Sequence, residues 1–432
     1  MDPAPIDRSV LHHHDDHRSV RVFKAPQSAE HVLKCRRREA VITRGRCEIH
    51  PRIAEYVSQA GFYGVMKLGF IQLDWHLVTA LVERWRPETH TFHLPHGEVT
   101  ITLQDVSILL GLAVDGEVVS GVVGGNIYTD CERLLGVVPP DRAIKGSTLN
   151  LQWLVTTFSD LPVDADDITV QRYARAYILQ LIGGFLFATG ASATLAWLYR
   201  EMCRATLPSA HEIAGPVILL QIWAWERLPF ITPKRKLHTA WDPSCPLGVR
   251  WRDDFIVKEI SPHAVHWYRQ QLDMMSPHQF ICMPYNTDRV IALIPAYCFR
   301  GRHIWGAKVP LICFHIVEYH MVDRVIHQYG YLQPIPVNPE VDDLLHKIDL
   351  RGRGTTDFRA LHAHYIEYWA MRRQTIVTGE PSYGHASHTL AYTEWYRRIS
   401  RRYLTPHGLG HAYPTLTHSD HSTASTSSHS HT

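Results

Sequence analysis

No two of the chain's eight cysteines stand in a C-x-x-C pair; they are scattered as Cys35, Cys47, Cys131, Cys203, Cys245, Cys282, Cys298 and Cys313. That scatter supplies neither a zinc-ribbon nor a redox pair, and it reads as buried small hydrophobes rather than a disulfide framework. Long apolar runs are missing too. The longest, AGPVILLQIWAW at 214–225, is too short to span a bilayer and meets Glu226 and Arg227 at once. The first residues are rich in His and Asp with no apolar h-region, so a secretory leader is not expected. An excess of charge of either sign is also lacking, since 44 Lys and Arg stand against 42 Asp and Glu for a net +2. Phosphate neutralisation usually leaves a basic excess, so charge gives nucleic-acid binding no support. The phosphate-loop, nucleophile-elbow, dinucleotide and H-E-x-x-H motifs do not occur. Lys67, Lys145 and Lys258 lack the context of a pyridoxal-phosphate lysine. We therefore expect no cofactor, no metal and no membrane association, and we find no internal repeat.

What is present suffices for a large core: 432 residues, of which 45% are hydrophobic and 20% charged. Residues 61–121 are the most informative stretch. Asp74 is a good N-cap, and Leu77, Ala80, Leu81 and Trp85 follow it on one helical face until Pro87. TFHLPHGEVTITL then alternates around a Pro-His-Gly turn, as a two-stranded hairpin does. Thr102 and Asp105 have the spacing of a capping box ahead of an apolar run, and Asp115 and Gly116 read as a tight turn.

Elsewhere, residues 1–47 read as a disordered basic and His-rich arm, and 407–432 as a disordered Ser/Thr/His tail. His50 and Pro51 open a short helix. Periodicity predicts helices over 168–187, 195–205 and 215–230, the last apolar nearly all round and hence central. Ser261 and Pro262 open another; FICMPY (280–285) and RVIALIPAY (289–297) read as short strands. Pro310 is expected to open a long helix stopped by Gly330, Asn338 and Pro339 another, 356–374 a third and 392–404 a last, basic one. The expected fold is mainly α: a single large helical domain over 48–406 with small β-hairpins and disordered termini.

The pieces ALVERWRPETHTFHLP, TITLQDV, LAWLYRE, LLQIWAWERLP, MPY, PLICF, LHKIDLRGR and EWYRR occur in that order. With them the chain resembles the plant mobile domain (aminotransferase-like, MAINTENANCE OF MERISTEMS-like) family, also found in long-form plant serine/threonine phosphatase homologs. The resemblance runs from about residue 50 to about 406. It departs between GGFLF (183–187) and LAWLYRE (195–201), where only ATGASAT stands in place of a further helical stretch. The domain thus shows an apparent internal deletion near 188–194. Cys282 replaces a usual Trp, and Val322 a usual Pro. The metallophosphatase motifs GDxHG, GDxxDRG and GNHE are absent, so the resemblance carries no phosphatase activity to this chain.

Four groups of residues invite a chemical reading. His90, His93 and His96 repeat at three-residue steps, but on a strand His90 and His93 point to opposite faces and the three do not converge on a metal. His320, Asp323, Arg324 and His327 would share one face of the 310–330 helix, as intrahelical polar pairs or as a stripe facing a groove. Arg84 and Arg86 around Trp85, and Arg227 after Trp225, read as buried ion pairs or, alternatively, as ligand-binding arginines. The two arginines around Gly352 could cradle an anion. Arg84, Arg86, Arg227, His320, Asp323 and Arg324 form the candidate functional polar face. KCRRRE (34–39) and PKRKLH (233–238) have the composition of nuclear import signals. The resemblance implies a non-enzymatic, transposon-derived protein of the nucleus, acting in transposon silencing, genome maintenance and meristem maintenance through protein interactions. Its expected partners are proteins: chromatin or silencing factors, or a phosphatase. The alternatives are a hydrolase- or transferase-like enzyme with its site on the His320 helix, and a nucleic-acid-binding module using Arg372, Arg373 and the arginine pairs at 397–402.

Overall fold

The computed structural model describes residues 4–26, 28, 32–36, 49–122, 124–146, 148–186, 190–237, 242–257, 265–339, 343–350, 354–383 and 387–406. Asp74 caps the Trp75–Val82 helix by accepting from the amides of His76 and Leu77. The chain then enters a three-stranded antiparallel sheet of Trp85–Arg86, Thr91–Leu94 and Gly97–Val99, whose strand residues are all buried. The predicted hairpin is there, with Leu94 opposite Gly97. Thr102 and Asp105 make the predicted capping box at the head of the Leu103–Leu110 helix, and Gly111 ends it in the left-handed conformation.

The Val217–Arg227 helix is the centre of the core, as its unbroken apolar character requires: all eleven of its residues are buried. It packs on the Trp75–Val82 and Leu103–Leu110 helices. Fully burying a side chain such as Leu219 or Ile222 stabilises the fold by roughly 1.5–3 kcal/mol. The Ala191–Ala205 helix lies against the Leu103–Leu110 helix on one side and a β-hairpin on the other. Ahead of it, the Asp167–Leu181 helix runs into a π-helical turn, Ile182–Leu186, at the Gly183–Gly184 pair. The last basic helix spans Leu390–Ile399.

Trp85 and Arg86 form a strand rather than the end of the first helix, and 356–374 holds two short helices, Phe358–Leu361 and Ala363–Ala370, with a 3-10 turn after them. The structure differs from the sequence reading in four larger respects. First, the fold is mixed: helices dominate, but five small sheets are interspersed with them. Second, 310–330 is no long helix. Val309–Cys313 and Ile316–His320 form an antiparallel hairpin, followed by the short 3-10 turns Val322–Arg324 and Ile326–Tyr329. The β-branched residues Val309, Ile312, Ile316 and Val317 suit a buried pleated surface, and Phe314 turns the chain with a φ of 49°. Third, 280–285 and 289–297 hold no strands; Asp288–Ile291 is a helical turn capped by Thr287.

Fourth, part of the arm expected to be disordered is folded. Ser19–Lys24 is helical, Val10 and Leu11 are buried against Tyr392, Tyr396 and Ile399, and Arg18 donates its amide to the Thr206 carbonyl. Apolar Val10, Leu11 and Val22 let this polar segment bury enough surface to order it. Lys34 and Cys35 pair in parallel with Glu212 and Ile213, while residues 37–48 lie outside the described residues. The tail at 407–432 lies outside them as well, whereas the helix expected to open at 338–339 is not there: of the described residues that follow, to 350, only Leu345–Lys347 form a 3-10 turn. All seven described cysteines are free thiols.

Candidate functional site

The six residues of the candidate polar face, expected as a stripe on the 310–330 helix joined by Arg84, Arg86 and Arg227, do not meet, and nearly all of them are buried. Arg84 leaves the end of the Trp75–Val82 helix and is paired with Asp273, both side chains fully buried. The remaining lone pairs of Asp273 accept from the amides of Leu404 and Thr405, at 3.0 and 2.6 Å, and from the Thr405 hydroxyl at 2.6 Å. Arg227, at the end of the central helix, donates to Oδ1 of Asp105 through Nη2 at 2.7 Å, and its Nη1 donates to the Cys282 carbonyl at 2.6 Å. Asp105 also takes the Tyr285 hydroxyl at 2.8 Å, while its Oδ2 serves the capping box. Arg324 donates through Nε to Glu98 at 2.8 Å, and the Thr91 hydroxyl donates to the same oxygen at 3.2 Å.

Electrostatics follows from these pairings. Burial works against the charge of Glu98, but Arg324 and His93 outweigh it and hold its carboxyl at about 2. Arg86 makes no such ion pair among the described residues: its Nη2 reaches the Ser19 hydroxyl at 3.4 Å, and burial, only partly offset by the charge of Glu88, brings its pKa down to about 10. Asp323 accepts from Lys308 at 3.1 Å near the surface. His320 sits in a strand with Nδ1 2.9 Å from the Ala307 carbonyl, and burial lowers its pKa to about 4.

The three histidines of the H-x-x-H-x-x-H run also part company. His90 faces Glu318, His93 faces Glu98 and the Ser400 hydroxyl, and His96 faces the Met275 carbonyl. The arginines of the nucleic-acid reading are split: Arg372 and Arg373 both pair with Asp115, Arg401 is buried, and Arg397 and Arg398 are exposed. The basic turn around Gly352 lies outside the described residues.

Two further pairs complete the picture. Arg269 grips Glu83 with both arms, at 2.6 and 2.8 Å, and Arg200 pairs with Glu318. Arginine's planar fork suits such desolvated carboxylates. For Arg84, Arg227 and Arg324 the sequence showed the arginine but not its acid. Asp105 was visible only as a helix cap, and nothing local marked Asp273 or Glu98. Chemically, the arrangement cross-braces distant segments. The Arg84, Arg227, Arg269 and Arg324 pairs tie the 83–105 region to later elements, and Arg200 ties the Ala191–Ala205 helix to the Ile316–His320 strand.

Comparison with known proteins agrees with the sequence reading. The family model described as "Plant mobile domain" matches residues 61–192 and 189–397. The two matched stretches overlap at 189–192. A serine/threonine-protein phosphatase 7 long form homolog of Arabidopsis thaliana is 40% identical over 94% of this chain, which spans 32% of that protein. Protein MAIN-LIKE 1 and Protein MAINTENANCE OF MERISTEMS, from the same plant, are 33% and 31% identical. This chain spans 80% and 82% of them, and 93% and 90% of it is matched. No solved structure matches it.

Proposed function

Because the chain belongs to the plant mobile domain family, we propose that it is a non-enzymatic, transposon-derived nuclear protein that works through contacts with other proteins. The observation that carries this reading is the fate of the charged motif residues. Arg84, Arg227 and Arg324 are each spent on a separate buried carboxylate, in the interior rather than at a cleft. An enzyme of the hydrolase or transferase kind needs such groups to converge on a shared space around substrate. Here they brace the fold.

The relatives named for meristem maintenance support a role there, with silencing of mobile elements and genome maintenance as the proposed means. The phosphatase-named relative, about a third of which this chain spans, supports a phosphatase among the partners rather than phosphatase activity in this chain. Contact with partners needs exposed apolar surface. The end of the Ile127–Leu135 helix supplies some, with Leu134, Val137 and Val138 standing 38, 39 and 51% exposed.

The test is an affinity capture from salt-washed plant nuclei with tagged full-length protein, read by mass spectrometry beside a Leu134→Asp/Val138→Asp variant. We expect nuclear imaging of the wild type and specific recovery of silencing factors or a phosphatase, reduced several-fold in the variant. Recovery of chaperones alone, equal for both, would sink the proposal.

A further inference from the structure

We propose that His90, Cys203, Glu318 and His346 form a binding site for a single divalent transition-metal ion of the zinc class. One donor atom from each, Nε2, Sγ, a carboxylate oxygen and a ring nitrogen, lies within 4.8 Å of all the others. Oε2 of Glu318 stands 2.9 Å from His90 Nε2 and 3.1 Å from His346 Nε2. A tetrahedral zinc site with bonds of about 2.0–2.3 Å has edges of about 3.3–3.8 Å, so a small outward movement of the ligands seats the ion. The donors come from the turn before the Thr91–Leu94 strand, the Ala191–Ala205 helix, the Ile316–His320 strand and the Leu345–Lys347 turn.

The hydrogen bonds around these ligands suit a bound cation. His90 is buried, and its Nδ1 lies 2.9 Å from the Tyr319 carbonyl and 3.3 Å from the Tyr319 amide nitrogen, so backbone groups of one residue fix the ring whichever nitrogen carries the proton. Its Nε2 stands 2.9 Å from Oε2 of the Glu318 carboxylate, within hydrogen-bond reach of it. In the tautomer that donates from Nδ1 to the Tyr319 carbonyl, Nε2 and the carboxylate are two facing acceptors, and a metal ion between them removes their repulsion. A ligating histidine that passes its other N–H to a backbone carbonyl is the usual outer-shell arrangement around zinc. Cys203 has its counterpart: the Trp85 indole N–H donates to its sulfur at 3.2 Å, a bond that stabilises a thiolate. Arg200 occupies the other oxygen of Glu318 and leaves Oε2 for the ion.

His90 also adopts a φ of 48°, a conformation a non-glycine residue holds only when its surroundings impose it. One thiolate and one carboxylate neutralise a dication, and binding would release the thiol proton to solvent. Four protein donors leave no open position, so the ion would be structural, joining the first sheet to the later hairpin. His346, about a quarter exposed, is the side from which it would enter.

The test uses the full-length chain, stripped by chelator and titrated with Co2+. We expect one ion per chain, tetrahedral d–d bands and a thiolate-to-cobalt charge-transfer band. The exposed His12, His13 and Asp343 group and the His-rich tail cannot produce that last band, having no sulfur. Cys203→Ser should abolish it, and His346→Ala should weaken Co2+ binding tenfold or more while circular dichroism stays unchanged. His12→Ala/His13→Ala should leave the band intact. Folded, stripped protein that shows no thiolate band would overturn the proposal, as would a band that survives Cys203→Ser or His346→Ala at full affinity.

Discussion

Asp105→Ala is expected to destabilise the protein by about 3–5 kcal/mol, the cost of leaving a buried guanidinium without its carboxylate. Asp105 is fully buried and serves three masters. It pairs with Arg227, accepts the Tyr285 hydroxyl and closes the capping box at Thr102. Removing it strands Arg227 among the Phe280 and Tyr285 rings, 5.7 Å from each ring centre, with only the Cys282 and Ile281 carbonyls left to accept. Urea unfolding followed by circular dichroism checks this. A midpoint close to that of the wild type would mean that solvent reaches Arg227 and that its burial here is illusory.

The second large effect is loss of stability in mild acid. His17 and His327 are buried, and burial holds both well below the ordinary histidine value of 6.5. His17 lies against Arg86, Arg18 and His14, with Nε2 on the Trp85 carbonyl at 2.8 Å. His327 lies beside His388 with its ring 4.6 Å away, and Nδ1 faces the Gln333 amide oxygen. The unfolded chain takes up protons at these residues as pH falls through 6.5, and the folded chain does not. Their stabilisation is therefore complete above 6.5 and lost below it. Between pH 7 and 5 the two together remove ~4 kcal/mol. Glu98, held at about 2, adds nothing in that window; its contribution fades only as pH drops below 4.5. Urea midpoints measured from pH 7.5 to 4.5 should fall steadily from about 6.5 downward. A flat profile to pH 5 would contradict the burial of both rings.

How much of this was readable in advance depended on the range of the forces involved. Helix caps are local, so Asp74 and the Thr102–Asp105 box were placed to the residue. The central helix was legible because eleven residues in a row had to be hidden. The 309–320 hairpin was not, for a physical reason. His320, Asp323, Arg324 and His327 fit a helical spacing, and the turn at Phe314 and His315 carries none of the Gly or Asn residues that usually announce one. Arg84, Arg227 and Arg324 were legible as charges that needed partners. The partners lie 189, 122 and 226 residues away along the chain, beyond any local pattern. The same distance hid the companions of His90. The repeated histidines drew attention to a local cluster, whereas the donors that meet His90 arrive from three later elements.

The central claim is that the charged residues of the family motifs brace the fold and do not form a site. A double-mutant cycle in urea on Arg84→Met and Asp273→Leu tests it most directly, since Arg84 is one of the arginines the sequence offered for ligand binding. The account predicts single losses of about 3–5 kcal/mol and a double loss smaller than their sum by about 1–3 kcal/mol. Full stability in Arg84→Met, together with loss of partner capture, would contradict it and return Arg84 to a functional surface.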